Sequence, residues 1–182
     1  MRKTLLTLCF VMLLSANITA QPQTFTTDGL EYKLDLPTPS WKALARLDIN
    51  EHFDFINGND SSEGYLRLTK RFTEPGATAA DLFRYDEKWN LQRLPGYVVC
   101  SSGSGTDFQG RLKGTVFSYE FVHGGMNMDG RIYYLQLDNR TFYVLHFTVT
   151  SEKLQGLRDQ MESIARSFRL KWRSPTRGDR SQ

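Results

Sequence analysis

The sequence predicts one α+β domain in which an antiparallel β-sheet is flanked by helices on both faces. Three observations predict it. Four strand-like segments between Tyr97 and Val149 follow one another with short glycine-rich or polar connections, the pattern of consecutive antiparallel strands. One segment before this run and one after it place apolar residues three and four apart, the period of an amphipathic helix. The central strands are apolar at nearly every position rather than at alternate ones, as strands covered on both sides are.

The two ends set the limits of the domain. "MRKTLLTLCFVMLLSANITAQ" begins with Arg2 and Lys3, continues with an apolar stretch from Leu5 to Leu14 and reaches Ala20 through small and polar residues. This is the layout of a secretory signal peptide. A membrane span needs about 20 apolar residues, and Ser15 and Asn17 interrupt this run well before that. Residues 1–20 are therefore expected to be cleaved, leaving a protein exported to the periplasm or the exterior without stable membrane insertion. Cys9 would leave with the signal, and Cys100 alone cannot form an internal disulfide; its strand-like setting reads as that of a buried, inert thiol. Residues 171–182, "KWRSPTRGDRSQ", lose all periodicity and read as a disordered basic tail. The formal net charge of +3 lives in these ends, which leaves the 21–170 domain slightly acidic and without a nucleic-acid footprint.

Within the domain, "LEYKLDL" alternates Leu30, Tyr32, Leu34 and Leu36 with Glu31, Lys33 and Asp35, a half-buried strand. "HFDFINGNDSSEGYLRLTKRF" reads as a hairpin with an exposed tip at Asn57–Gly64. In "GATAADLFRYDEKWNLQRLPG", Thr78 can cap a helix with Asp81 at its third position, and Leu82, Tyr85 and Trp89 form a face expected to lie against the sheet. "YVVCSS", "GTVFSYEFV", "GRIYYLQL" and "TFYVLHFTV" follow as a meander. The turn at Asp138–Arg140 allows Leu137 to sit opposite Phe142 or opposite Arg140. Either pairing places Arg131, Tyr133 and Leu135 on one face with Phe142, Val144 and His146, and Ile132 and Tyr134 on the other with Tyr143, Leu145 and Phe147. After Thr150-Ser151, the stripe Leu154, Leu157, Met161, Ile164, Ala165 and Phe168 predicts the second helix.

"DGRIYYLQ", a strand after "DNR", and "MESIARSFRL" at a helix end resemble the closing third of the PsbP-like domain family. The resemblance extends diffusely over Phe25–Leu170. It implies an α/β/α sandwich and an accessory or binding role, exercised by docking to other macromolecules rather than by catalysis. No docking or metal residue of that family maps onto a position here.

Reaction chemistry has little support. The histidines are His52, His123 and His146, with no paired ligand spacing, so neither a metal nor another cofactor is expected. "HGGMNMDG" at His123–Gly130 joins two strands and opens no helix, so it reads as a flexible hairpin loop rather than a phosphate cradle. Glu120 is the unusual residue. A carboxylate in a central strand must find a partner, emerge at an edge or serve a site, because burying it alone is costly. Tyr119, Glu120, Arg131, Tyr133 and His146 are accordingly the candidate binding residues. The leading expectation is an exported, non-enzymatic module that docks to a protein partner at or near an envelope complex. The alternative is a small-ligand binder, or a hydrolase, using a polar cleft beside the sheet.

Overall fold

The computed structural model describes residues 22–28, 30–44, 53–59, 61, 63–100 and 105–171. The expected signal segment, residues 172–182 of the expected tail and part of the 57–64 hairpin tip lie outside the described residues. In chain order the elements are β1 (Gln23–Phe25), β2 (Tyr32–Leu36), β3 (Trp41–Leu44), β4 (Phe53–Asn57), β5 (Tyr65–Phe72), α1 (Ala79–Trp89), a 3-10 turn at Leu91–Arg93, β6 (Val98–Val99) and β7 (Thr106–Gln109). There follow β8 (Lys113–His123), β9 (Met126–Gln136), β10 (Thr141–Thr150), α2 (Ser151–Ser167) and β11 (Arg169–Leu170).

Among the described residues the strands make two antiparallel sheets. The larger runs β3-β4-β5-β10-β9-β8-β6, with β7 also pairing β8. The expected meander is its centre, β8-β9-β10 with β6 at one edge. The smaller sheet, β1-β2-β11, was not anticipated: the alternating strand at Tyr32–Leu36 leaves the main sheet and pairs with the chain's last strand. Arg169 clamps it with a forked pair of hydrogen bonds to the Asp35 carboxylate, each 2.9 Å. β3 and β7 are likewise short strands with no clear period in the sequence.

Successive residues of a strand point to opposite faces, and here both faces are buried. Tyr133, Leu135, Tyr143, Leu145 and Phe147 pack with Leu157, Met161 and Ile164 of α2 and with the inner residues of β2. Ile132, Tyr134, Phe142 and Val144 pack with Phe117 and Tyr119 of β8 and with Leu82 and Phe83 of α1. Phe83 stacks on Phe117 with ring centroids 4.0 Å apart. The aromatic density of the central strands is therefore core, each such side chain contributing roughly 1.5–3 kcal/mol by leaving water.

Several expectations need correction. The Leu137 N–H donates to the Thr141 carbonyl at 2.9 Å, so the loop is three residues long and Phe142 faces Gln136. Both expected pairings were off by one, and a slip of one residue exchanges faces: Tyr133 shares a face with Leu145, and His146 with Ile132. The reason is local, since the Asp138 carboxylate accepts the Arg140 N–H at 2.8 Å and closes an Asx turn. The segment at His123–Gly130 is mostly strand. Only Gly124 and Gly125, at φ +57° and +79°, form the turn, the two-residue geometry that follows the twist of paired strands.

Helix α1 starts as expected, with a capping box between Thr78 and Asp81, but is rotated by about one residue relative to the expected face. Leu82, Phe83 and Asp86 turn inward, whereas Tyr85 and Trp89 are 56% and 46% exposed. The helix turns this way because Asp86 has buried partners to reach. Cys100 is also exposed rather than buried.

Candidate functional site

Strand β5 reads Tyr65-Leu66-Arg67-Leu68-Thr69-Lys70-Arg71. Leu66 and Leu68 enter the core beneath the sheet, so Tyr65, Arg67, Thr69 and Arg71 line the opposite face. That is the face on which α1 lies, yet α1 packs against β8 and β9. Between the helix and β5 an open cleft of about 520 Å³ remains. Its floor is Thr69, Val144, Ile132 and His146, and Arg67 and Arg71 stand along one side. Asp86, Asn90 and Leu91, at the end of α1 and the turn after it, form the other wall. Past Arg67 a second hollow of about 460 Å³ continues over Thr148, Tyr65, Phe121, Met126 and Met128.

Each charge in the cleft is held. Arg67 donates from Nε to Asp54 at 3.2 Å and from a terminal nitrogen to the Tyr65 hydroxyl at 2.8 Å. Burial, and then the neighbouring Asp54 carboxylate, raise the Tyr65 hydroxyl above its ordinary value. Arg71 donates to Asp86 at 3.3 Å and lies over the Tyr85 ring. Asp86 is buried and also accepts from Tyr134 at 2.7 Å and from the Asn90 side chain at 3.4 Å. Burial first, and the same carboxylate second, raise the Tyr134 hydroxyl well above the usual phenol range. The arginines are thus oriented by carboxylates and keep further N–H donors for a ligand.

His146 lies opposite Arg67 on β10, with Nε2 2.6 Å from the Tyr119 hydroxyl. Tyr119 is buried against Gly130, and its hydroxyl has no second partner among the described residues. A buried O–H needs an acceptor, so Tyr119 donates to Nε2 and the imidazole proton sits on Nδ1. Nδ1 has no partner among the described residues, and the ring lines the cleft. Burial pushes the imidazole down to about 4, helped by Arg67 and opposed by Asp86, so at neutral pH His146 is an uncharged donor.

A pH dependence follows. The folded state holds His146 neutral to about 4, whereas an unfolded histidine titrates at 6.5, so the unfolded chain binds more protons between these values. This contribution to stability is complete above pH 6.5 and is lost as the pH falls toward 4, by on the order of 3 kcal/mol. Chemical denaturation of wild type and His146→Gln from pH 7.5 to 4 checks this. The wild-type curve falls across that window, and the variant lacks that part of the fall.

Of the residues expected to form a site, the structure brings only Tyr119 and His146 together on the cleft's face of the sheet. Arg131 and Tyr133 are on the other face. The guanidinium of Arg131 lies 5.6 Å from the centre of the Tyr133 ring, and Arg131 Nε and the Tyr133 hydroxyl are buried without a hydrogen-bond partner among the described residues. Burial pushes Tyr133 up to about 12. Glu120 is solvent-exposed beside β6, where it accepts a 3.4 Å contact from the Cys100 thiol. Burial, and then Glu120, push that thiol up to about 11, so it is exposed yet poorly nucleophilic. Arg67, Arg71, Asp86 and Asn90 were missed. The signal for Arg67 and Arg71 was the polar alternation of β5, but which strand lies beside it is set by long-range pairing; Asp86 and Asn90, on α1 and its cap, carried no such signal. Among the described residues, no three or more His, Cys, Asp or Glu side chains gather where they could hold a metal ion. No helix among them is long and apolar enough to cross a membrane.

No protein-family model matches the chain, and no curated protein matches it. Solved structures do. The solution structure of cyanobacterial PsbP (CyanoP) from Synechocystis sp. PCC 6803 superposes with a TM-score of 0.58 at 10% identity, over 86% of this chain and 96% of that one. LpqN, involved in cell envelope biogenesis of Mycobacterium tuberculosis, gives 0.53 at 15% identity, over 83% and 92%. A Bacteroides thetaiotaomicron protein gives 0.57 at 16% identity over 84% of this chain, which spans only 49% of that longer one. At these identities the likeness is one of fold: a single, mostly antiparallel β-domain with two helices, similar to that of PsbP.

Proposed function

We propose that the chain is an exported, non-enzymatic binding module that receives a small ligand in the cleft between α1 and β5. The observation that carries this reading is the convergence of Arg67, Arg71 and the His146 Nδ1, which has no partner among the described residues, on one open cavity. Ligand sites are typically concave, with a few placed polar groups on a firm scaffold. In this reading the domain is a PsbP-like α/β/α sandwich in which α1 covers only part of its face and leaves the cleft beside it. Export to the periplasm or exterior rests on the N-terminal pattern and is supported by the envelope role of LpqN. Native mass spectrometry of protein recovered gently from the producing cell is the test. A small-molecule mass lost on unfolding supports the reading; a bare mass, with no change in the His146 ring signals when envelope extract is added, overturns it.

One observation favours a second reading, docking to a protein partner of the envelope. Tyr85 and Trp89 lie side by side on the exposed flank of α1, ring centroids 6.4 Å apart, and these two residue types are enriched among the residues that dominate protein interfaces. That reading expects a co-purifying protein of defined stoichiometry that Tyr85→Ala with Trp89→Ala removes. Unchanged recovery from the double variant rules out this surface.

A further inference from the structure

The cleft and the hollow beyond it differ in chemistry but share Arg67 as a wall. Along the floor, His146 and Thr148 are successive residues of one face of β10, so the cavities lie end to end along the strand as a trough walled at its middle by Arg67. From Val144 to Thr148 this floor runs about 13 Å at the usual rise of a strand. At one end stand Arg71, Arg67 and His146, whose free N–H donors outnumber acceptors. At the other end Met126, 43% exposed, lies with the edges of the buried Phe121 and Met128, beside Ser61 and His123. Methionine adapts to chains of varied shape, so this end can receive an apolar chain.

Resting on the reading of the cleft as a ligand site, we infer that this trough takes an amphipathic anion: an acidic head between Arg71 and Arg67 against His146, and an apolar chain over Thr148 onto Met126, Met128 and Phe121. Asp54 and Asp86 already neutralise most of the arginine charge, so the head is recognised through N–H donors in fixed directions rather than through net charge. The shared chemistry is a carboxylate or phosphate on a hydrocarbon chain.

The test is NMR titration of the folded protein, below the probes' micelle concentrations, following the His146 ring and the Met126 and Met128 methyl groups. The probes are laurate, dodecyl phosphate, dodecyl maltoside as a neutral head on the same chain, and acetate and inorganic phosphate as heads without a chain. The expected result is that laurate or dodecyl phosphate shifts both sets of signals at least tenfold more tightly than the neutral detergent or the bare anions, and whichever of the two binds more tightly identifies the head. Met126→Glu, a change at an exposed position of the hairpin, weakens that binding at least fivefold, and Arg71→Gln weakens it while leaving dodecyl maltoside unaffected. Equal affinity for the neutral detergent overturns the anionic head, and bare anions binding as tightly as laurate overturn the apolar chain. No shift at His146 with any probe overturns the cleft as a ligand site altogether.

Discussion

Gly130→Ala is expected to lower stability by about 3 kcal/mol, with the urea midpoint falling and the slope little changed. Gly130 sits in β9 between Tyr119 on β8 and Thr148 on β10. A Cβ there would lie 2.1 Å from Tyr119 Cζ and 2.6 Å from its hydroxyl oxygen, distances that real Cβ atoms essentially never show. The ring cannot simply withdraw. It is 1% exposed, has Tyr97 and Phe121 with ring centroids each 5.6 Å away, and its hydroxyl is spent on His146. Overpacking of this kind costs about 1–3 kcal/mol, and a lost hydrogen bond to a partly buried imidazole adds about 1 more. Combining Gly130→Ala with Tyr119→Ala isolates the cause, because with the ring gone the alanine should add almost nothing. If Gly130→Ala alone proves neutral, Tyr119 does not lie where the structure places it.

Asp86→Ala is the second large effect, again about 3 kcal/mol, read as a fall of about 10 °C in Tm. Three donors among the described residues converge on this one carboxylate, from Tyr134, Arg71 and Asn90. Removing it strands the Tyr134 hydroxyl in the core, where an unpaired donor costs about 1–3 kcal/mol. It also leaves Arg71 without its counter-charge; because the Arg71 side chain is 34% exposed, that loss stays at the low end for a buried ion pair. Asp86→Asn keeps one acceptor oxygen and should lose about half as much. Equal losses for both variants would mean that the charge, rather than the hydrogen bonds, holds α1 in place.

Much of the fold could be read from local pattern. The alternation of β2, the capping box of α1, the apolar stripe of α2 and the doubly buried central strands depend on neighbours within a few residues, and the structure reproduces each of them. The faces of β9 and β10 relative to one another could not be read that way, because they depend on whether the turn holds two, three or four residues. Asp138 decided it, with one side-chain hydrogen bond. That single register carried the candidate site with it, separating Arg131 and Tyr133 from His146. The tilt of α1 was hidden for a different reason. Tyr85 and Trp89 look like the buried face by hydrophobicity, and only the partners of Asp86, distant in sequence, make the carboxylate the residue that turns inward. The cleft itself was legible in half, as the polar side of β5, and its other half comes from residues that sequence order does not bring near.

Between β5 and β8 the chain leaves the middle of the sheet, lays α1 across it and then supplies β6 and β7 beside β8, on the far side of the sheet. One wall of the cleft belongs to this excursion, while the floor, Thr69 apart, belongs to β9 and β10, whose Ile132 and Val144 are also core. The two differ in what a substitution costs the fold. Changes at Asn90, which is exposed, can alter what the cleft admits at little cost to folding, whereas changes at the buried Leu91 and in the floor are penalised at once. Chains built on this plan are therefore expected to diverge in ligand well before they diverge in architecture.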